Sequence, residues 1–361
     1  MEQSIKKTQR DRIMKKFQTI KSMGIFFLLI MTLPVGAQRR QWPPEVRDNV
    51  PRDSIYMSDP AILADDASGI YYMTGTGGLM WKSRDLDLWS GPYVVAIPDT
   101  TSWMGHRPMI WAAEPHKYKD KYYYFATFTN PSTIILKNQE GVDVPRRASH
   151  ILVADTPEGP YRPINEQDYL PADRPTLDGT FWVEEDGKPY MVFCGEWLYD
   201  NNGTMEAIEL LPDLSGSVGE PELLFRASDS PWSRTEREDG SIGPNRVTDG
   251  PYLFRTATGK LGMIWTSWIY SDYTMGVAYS ESGTIHGPWI QEDEPILPPN
   301  YGHGMIFKDF TGRDLLSVHS HIDNGGRYIR RPTLWEVDLS GDKLKIIKKI
   351  DKAAATYSQK P

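Results

Sequence analysis

From Met57 onward, hydrophobic and polar positions alternate in short runs. Tyr122-Tyr123-Tyr124-Phe125-Ala126-Thr127-Phe128 and Leu261-Gly262-Met263-Ile264-Trp265-Thr266 are representative: aromatic and β-type residues bounded by Gly, Pro, Asn or Asp. No stretch carries the three-to-four-residue apolar spacing of a long amphipathic helix. The pattern predicts an all-β chain.

The runs recur as a unit in which a polar residue beside a turn former opens a strand, a tight turn follows, and an aromatic-rich strand returns. The openings are Ser58-Asp59-Pro60-Ala61-Ile62, Ala113-Glu114-Pro115-His116, Leu177-Asp178-Gly179-Thr180, Thr248-Asp249-Gly250-Pro251 and Gly302-His303-Gly304-Met305, spaced by roughly 55 to 70 residues. A second marker recurs late in three units, as Gly91-Pro92-Tyr93, Gly159-Pro160-Tyr161 and Gly287-Pro288-Trp289. Five such units predict a single-domain, five-bladed β-propeller over 57–345, after an extended lead-in at 38–56 and before a C-terminal tail at 346–361.

The N-terminus reads differently. Basic residues from Lys6 to Lys21 precede the apolar run Gly24–Met31, and Val35-Gly36-Ala37 offers small residues for cleavage before Gln38. This is the order of a secretory signal, assigned to 1–37, although translation starting at Met14 or Met23 would give it a more ordinary length. The apolar run is too short for a comfortable membrane span. The mature chain is expected to be exported to the periplasm or the medium, without a membrane partner.

Charge narrows the partner. A formal net charge of -8 argues against nucleic acid, and a neutral substrate fits it better. The single cysteine, Cys194, excludes an intrachain disulfide and reads as an apolar filler. The 12 Trp and 19 Tyr suit strands and buried cores, with a minority left to stack on sugar rings.

The innermost strand of each propeller blade lines the central channel, so the five openings should gather Asp59, Glu114, Asp178, Asp249 and His303 at one mouth. An Asp beside Gly or Pro is ordinarily a turn former. Repetition at the same point of successive blades weakens that reading, because turns accept Asn or Ser as readily and crowded carboxylates repel one another. Such frustration usually marks a working site. It suits glycoside hydrolysis by paired acids or cation binding by hard oxygen ligands. No Asp-x-Asp-x-Asp-Gly loop, His-Glu-x-x-His or cysteine pair supports a dedicated metal enzyme. His319 and His321 share a strand face, a pairing that seldom binds metal.

These motifs, with Trp111-Ala112-Ala113-Glu114-Pro115-His116 and Asp178-Gly179-Thr180-Phe181-Trp182, resemble those of the family 43 glycoside hydrolases over about Met57 to Leu339. That family comprises inverting five-bladed propellers acting on arabinose- and xylose-containing glycans. The resemblance implies that Asp59 is the general base and that Asp178 orients the proton donor and tunes its pKa. It makes His303 a holder of a structural calcium in the channel, with no cofactor required for the chemistry. Trp111, Glu114, His116 and Arg331 become substrate-binding positions. One position departs: Asp249 stands where the family carries its donor Glu. Three readings follow. The donor is Asp249 on a shifted backbone, or it is Glu196 at the end of the second strand of the Asp178 blade, or the protein binds sugar without cleaving it.

The expected activity is release of arabinofuranosyl residues from plant-type polysaccharide, with β-xylosidase or galactan-active exo-hydrolase as alternatives. Segments 129–147 and 227–246 are long enough to close one end of a groove, which favours exo action. A protein-interaction propeller has no use for gathered acids. A retaining fructan-cleaving relative would carry an Asn-Asp-Pro motif where this chain has Ser58-Asp59-Pro60.

Overall fold

The turns between paired runs follow from their residues. At Asp309–Gly312, Asp309 Oδ1 accepts the N–H groups of Thr311 and Arg313, both at 2.9 Å, while Gly312 adopts φ +88°. Glycine enters that left-handed region without steric cost. Gly187 and Gly259 close the corresponding turns of two other units, each at φ +87°. Between turns the strands are extended and buried, as in Pro189–Gly195, where every residue is buried.

A computed structural model of the protein describes residues 42–352, apart from Glu238 and Gly326. The expected signal segment, 1–37, and the first residues of the lead-in lie outside the described residues. Five antiparallel sheets follow in chain order as the blades of a five-bladed β-propeller. From inner to outer strand, blade 1 comprises Ala61–Asp65, Ile70–Thr74, Leu79–Ser83 and Leu88–Val94. Blade 2 comprises Met109–Tyr118, Lys121–Lys137, Asp143–Ala154 and Arg162–Pro163, and blade 3 Thr176–Val183, Pro189–Gly195, Thr204–Leu210 and Ser217–Arg226. Blade 4 comprises Asp249–Arg255, Leu261–Tyr270, Asp272–Ser280 and Trp289–Gln291, with Arg234–Thr235 pairing in parallel with Ile269 and Tyr270. Blade 5 comprises Tyr301–Lys308, Asp314–Asp323, Tyr328–Asp338 and Lys345–Ile350. The three Gly-Pro markers are cis peptides, at Gly91-Pro92, Gly159-Pro160 and Gly287-Pro288.

Two boundaries differ from expectation. The lead-in contributes Arg47–Pro51, a fifth strand on the outer edge of blade 1, and Lys345–Ile350, most of it within the expected tail, is the outer strand of blade 5. Both are edge strands with few buried positions, so their residues lack the apolar alternation that reveals a strand.

The core is divided among the seams between blades rather than concentrated at a centre. Five apolar clusters each unite two neighbouring blades. Phe225 and Trp265, for example, join blades 3 and 4 with ring centroids 5.5 Å apart. Cys194 lies in the same cluster as a buried filler. Most large aromatics are spent in this way, which leaves few for a ligand.

The ring closes between blades 5 and 1 without a shared sheet. Apolar contacts bring Ile55, Met57, Ile62 and Trp89 against Phe307, Leu315, Leu334 and Ile350. Arg52 fastens the seam from the periphery. Its Nη2 donates to the carbonyls of Ile350 at 2.8 Å and Asp351 at 3.0 Å, and its Nη1 donates to Leu86 O at 3.0 Å. Burial lowers the pKa of this guanidinium, opposed by the charges of Asp87, Asp53 and Asp351. Replacing Arg52 by Ala strands three carbonyls and an acidic neighbour at the seam, and is expected to cost about 3–5 kcal/mol. Urea unfolding should show this as a lower midpoint at unchanged slope. Arg52→Lys should recover only part of the loss, since an ammonium lacks the planar fork that serves several carbonyls at once.

Candidate active site

Each inner strand enters from the mouth through one residue in the left-handed region. These are Asp59 (φ +58°), Ala112 (φ +41°), Asp178 (φ +56°), Gly250 (φ +50°) and His303 (φ +46°). In blades 2 to 5 the residue lies within a register shift against the second strand, and such irregularities re-aim side chains. A non-glycine residue held there costs on the order of 1–3 kcal/mol and recurs at functional sites. At Gly250 the requirement is also steric, since a Cβ would come within 2.6 Å of the His303 ring.

Three of these blades deliver carboxylates to one nitrogen. His303 Nδ1 lies 3.0 Å from Asp249 Oδ1, 3.3 Å from Asp59 Oδ1 and 3.8 Å from Asp178 Oδ2. Burial by itself would lower the His303 pKa; the three carboxylates outweigh it and hold the ring well above its usual range. Burial raises Asp59, partly offset by the His303 charge. Asp59 Oδ2 also accepts the Thr76 hydroxyl at 2.5 Å, and Thr76 Oγ1 accepts the N–H of Ala112 at 3.0 Å. Asp178 and Asp249 titrate as a pair. Burial and the Asp249 charge push Asp178 well up, whereas hydrogen bonds and the His303 charge overcome burial and hold Asp249 far below the carboxylate range. Asp249 Oδ2 further accepts the Tyr273 hydroxyl at 2.6 Å.

Asp249 is thus an ionised partner of His303 with both oxygens engaged. Its Oδ1 and that of Asp59 stand 3.0 and 3.3 Å from the same nitrogen, closer together than the roughly 6.5–9.5 Å that separates an inverting acid and base.

Glu114 was expected at the mouth and is not there. The left-handed residue of blade 2 is Ala112, so Glu114 falls two residues deeper. Its Oε2 accepts the Thr180 hydroxyl at 2.7 Å and meets His116 Nε2 at 2.9 Å. His116 is likewise buried, edge-on to Phe125 and Phe181. Both residues are buried where blades 2 and 3 meet.

Glu196 does return to the mouth side. It follows the second strand of blade 3, and its N–H is held by Pro175 O at 3.1 Å. Both carboxylate oxygens lie 2.5 Å from Arg147 Nη1, and both side chains are buried. Burial raises Glu196, the Arg147 charge and hydrogen bond oppose it, Asp249 adds to the rise, and the net direction is upward. Arg147 donates from Nε to Thr129 Oγ1 at 2.9 Å and lies 3.9 Å over the Trp111 ring, so one face of Trp111 is already covered.

Arg331 was expected to bind substrate, yet it points outward to Tyr56 and the carbonyl of Asp53. Its neighbour Arg330 occupies the inner face. Arg330 Nε donates to His321 Nδ1 at 3.2 Å, its Nη1 reaches Ser58 Oγ at 3.4 Å, and its charge acts on Asp59. Strand parity decides between them, since adjacent residues face opposite ways. His319 and His321 sit among Tyr273, Trp268 and Tyr328. Among the described residues, the group able to present three ligand atoms within 4.8 Å of one another is Asp178, Asp249 and His303.

Sequence reasoning overlooked Arg147, Arg330, Thr76 and Tyr273. The pairing Thr129↔Arg147 gave no local signal. The Arg330-Arg331 doublet was visible, and only its parity was missed.

The sequence profile of glycosyl hydrolases family 43 matches residues 54–341. Among solved structures, an endo-arabinase from Bacteroides thetaiotaomicron is 32% identical, with 85% of this chain and 99% of that chain covered at a TM-score of 0.68. An endo-1,4-beta-xylanase from the same organism (20% identical, 85% and 98% covered, TM-score 0.65) and an alpha-L-arabinofuranosidase from Lactobacillus brevis (18%, 84% and 100%, 0.57) share the fold. No curated protein matches the sequence significantly. With five blades in order and acids from three of them gathered at the axis, the chain belongs to glycoside hydrolase family 43 and is a glycosidase.

Proposed function

We propose that the protein is an exported, inverting hydrolase of arabinofuranosyl linkages in plant-type polysaccharide, with Asp59 as base and Glu196 as proton donor. The observation that carries the assignment is the contrast between Asp249 and Glu196. Asp249 is held ionised by His303 and Tyr273, whereas Glu196 is buried with a raised pKa at the same mouth. A general acid has to keep its proton near the working pH. In the reaction, Asp59 takes a proton from water as the water oxygen bonds to the anomeric carbon. Glu196 gives its proton to the departing oxygen as the glycosidic bond breaks, which inverts the anomeric centre. Transfer requires Glu196 to loosen from Arg147.

Arabinose is favoured because the 32%-identical structure is described as an endo-arabinase. End-on attack is supported by the long segments 129–147 and 227–246. The hairpin spanning 129–147 reaches blade 3 through Gln139, which accepts from Asn201 Nδ2 at 2.6 Å. Segment 227–246 joins blade 3 through Gly203 N–H to Arg246 O at 2.8 Å and Arg246 N–H to Asn201 O at 2.9 Å. A calcium ion would be held by Asp178, Asp249 and His303, the imidazole giving up its Nδ1 proton to bind. These supply fewer than the six to eight oxygens calcium prefers, so water would complete the shell. Bound there, it would add positive charge beside the acids.

Purified protein from Gln38 onward should release nitrophenol from p-nitrophenyl α-L-arabinofuranoside in preference to the β-D-xyloside and β-D-galactoside. Asp59→Ala should lose several decades of kcat, and NMR of the first-formed sugar should show the inverted anomer. A retained anomer, or activity surviving in Asp59→Ala, overturns the assignment of the base.

The donor is tested by pH. Activity should fall on the acid side as Asp59 takes up a proton, at a pH above the usual aspartate range because burial raises that group. It should fall on the alkaline side as Glu196 loses its proton. Glu196→Gln should remove the alkaline limb, keep the acid limb, and retain most activity on a dinitrophenyl glycoside whose leaving group needs no proton. If Asp249→Asn does this instead, the donor is Asp249.

A further inference from the structure

The Asp59–Pro60 segment is held by a blade to which it does not belong. Asp59 N–H donates to His319 Nδ1 at 3.1 Å, and Pro60 O accepts the Ser317 hydroxyl at 2.7 Å. Ser317 and His319 are alternate residues of Asp314–Asp323, the second strand of blade 5, so they share one face of that strand. They bracket the left-handed Asp59, φ +58°, from the N–H on one side to the next residue's carbonyl on the other. Both are buried, with His319 2% exposed.

The state of His319 suits this task. Burial, together with the charges of Arg330, His303 and His321, lowers its pKa well below the usual range; Asp249 opposes weakly. The ring is therefore neutral, and its Nδ1 lone pair is free to accept. The ring proton then resides on Nε2, which is buried with no hydrogen-bond partner among the described residues. Burying such a donor unpaired costs about 1–3 kcal/mol, a cost that an apolar side chain would avoid. Tyr273 lies on the His319 ring, centroids 5.4 Å apart at 22°, and fixes its plane, while the Tyr273 hydroxyl holds Asp249.

We propose that His319 and Ser317 are positioning residues for Asp59, and that closure of the ring by the last blade sets the orientation of the base. The inference rests on Asp59 being the base. His319 fixes the backbone from which the Asp59 carboxylate reaches the axis, and its Nδ1 also stands 3.4 Å from Asp59 Oδ1. His319→Leu should lower kcat about 10- to 100-fold with KM changed less than about 2-fold, as displacement of a reacting group by about 1 Å does. His319→Asn, whose Oδ1 accepts from near the Nδ1 position, should restore most of that loss. Ser317→Ala should lower kcat by a smaller factor, and the double variant should fall short of the product of the two.

Melting temperatures separate positioning from folding, because a purely structural role predicts a lower melting temperature with unchanged kcat per folded molecule. Amide exchange followed by NMR is independent of any substrate. The Asp59 amide should lose protection in His319→Leu and keep it in His319→Asn. Wild-type kcat or wild-type Asp59 protection in His319→Leu overturns the inference. Activity surviving in Asp59→Ala overturns the assignment of the base instead, so the two failures are distinguishable.

Discussion

Three carboxylates from three blades converge on one imidazole nitrogen, and the ring has to hold that concentration of like charge in place. Left to themselves, Asp59, Asp178 and Asp249 would repel one another. His303 answers with a raised pKa, and the strain is distributed: Asp59 and Asp178 are driven up and Asp249 down. The four charges come from blades 1, 3, 4 and 5, so the cluster forms only where those blades meet. The site is a property of the closed ring rather than of any single strand.

That dependence gives the seam between blades 5 and 1 a second importance. Propellers remove exposed sheet edges by radial repetition, but the first and last blades must still be joined. Here the join is apolar packing, Arg52 at the rim and Ser317 and His319 near the axis. The rim contacts hold the fold, and the axial contacts reach the peptide that carries Asp59. Stability and geometry at the site share one seam but depend on different residues.

The site also shows how family resemblance and local geometry diverge. At the point where the family resemblance implies a Glu, Asp249 is one methylene shorter and is absorbed into the His303 cluster. A different buried acid, Glu196, stands at the same mouth, held by Arg147 from the long hairpin of blade 2. On the proposed assignment the donor role passes to a neighbouring side chain while the fold stays constant, because function resides in the site rather than in the fold.

What the sequence by itself determined is what depends on neighbours along the chain. Strand-period runs, Asp and Gly at the turns, five repeated openings and three Gly-Pro markers were enough for an all-β, five-bladed propeller. Asp59, Asp178 and His303 were legible because each occupies the same left-handed position at the start of an inner strand. Tertiary structure decided the rest. A register shift makes Ala112, not Glu114, the equivalent residue of blade 2, and parity selects Arg330 over Arg331. The edge strands Arg47–Pro51 and Lys345–Ile350 bury too little to leave an apolar pattern. The pairings Arg147 with Glu196, Tyr273 with Asp249 and His319 with Asp59 join residues from different blades. Each of those contacts exists only once the ring has closed, since no local preference in the chain encodes the meeting of two distant strands.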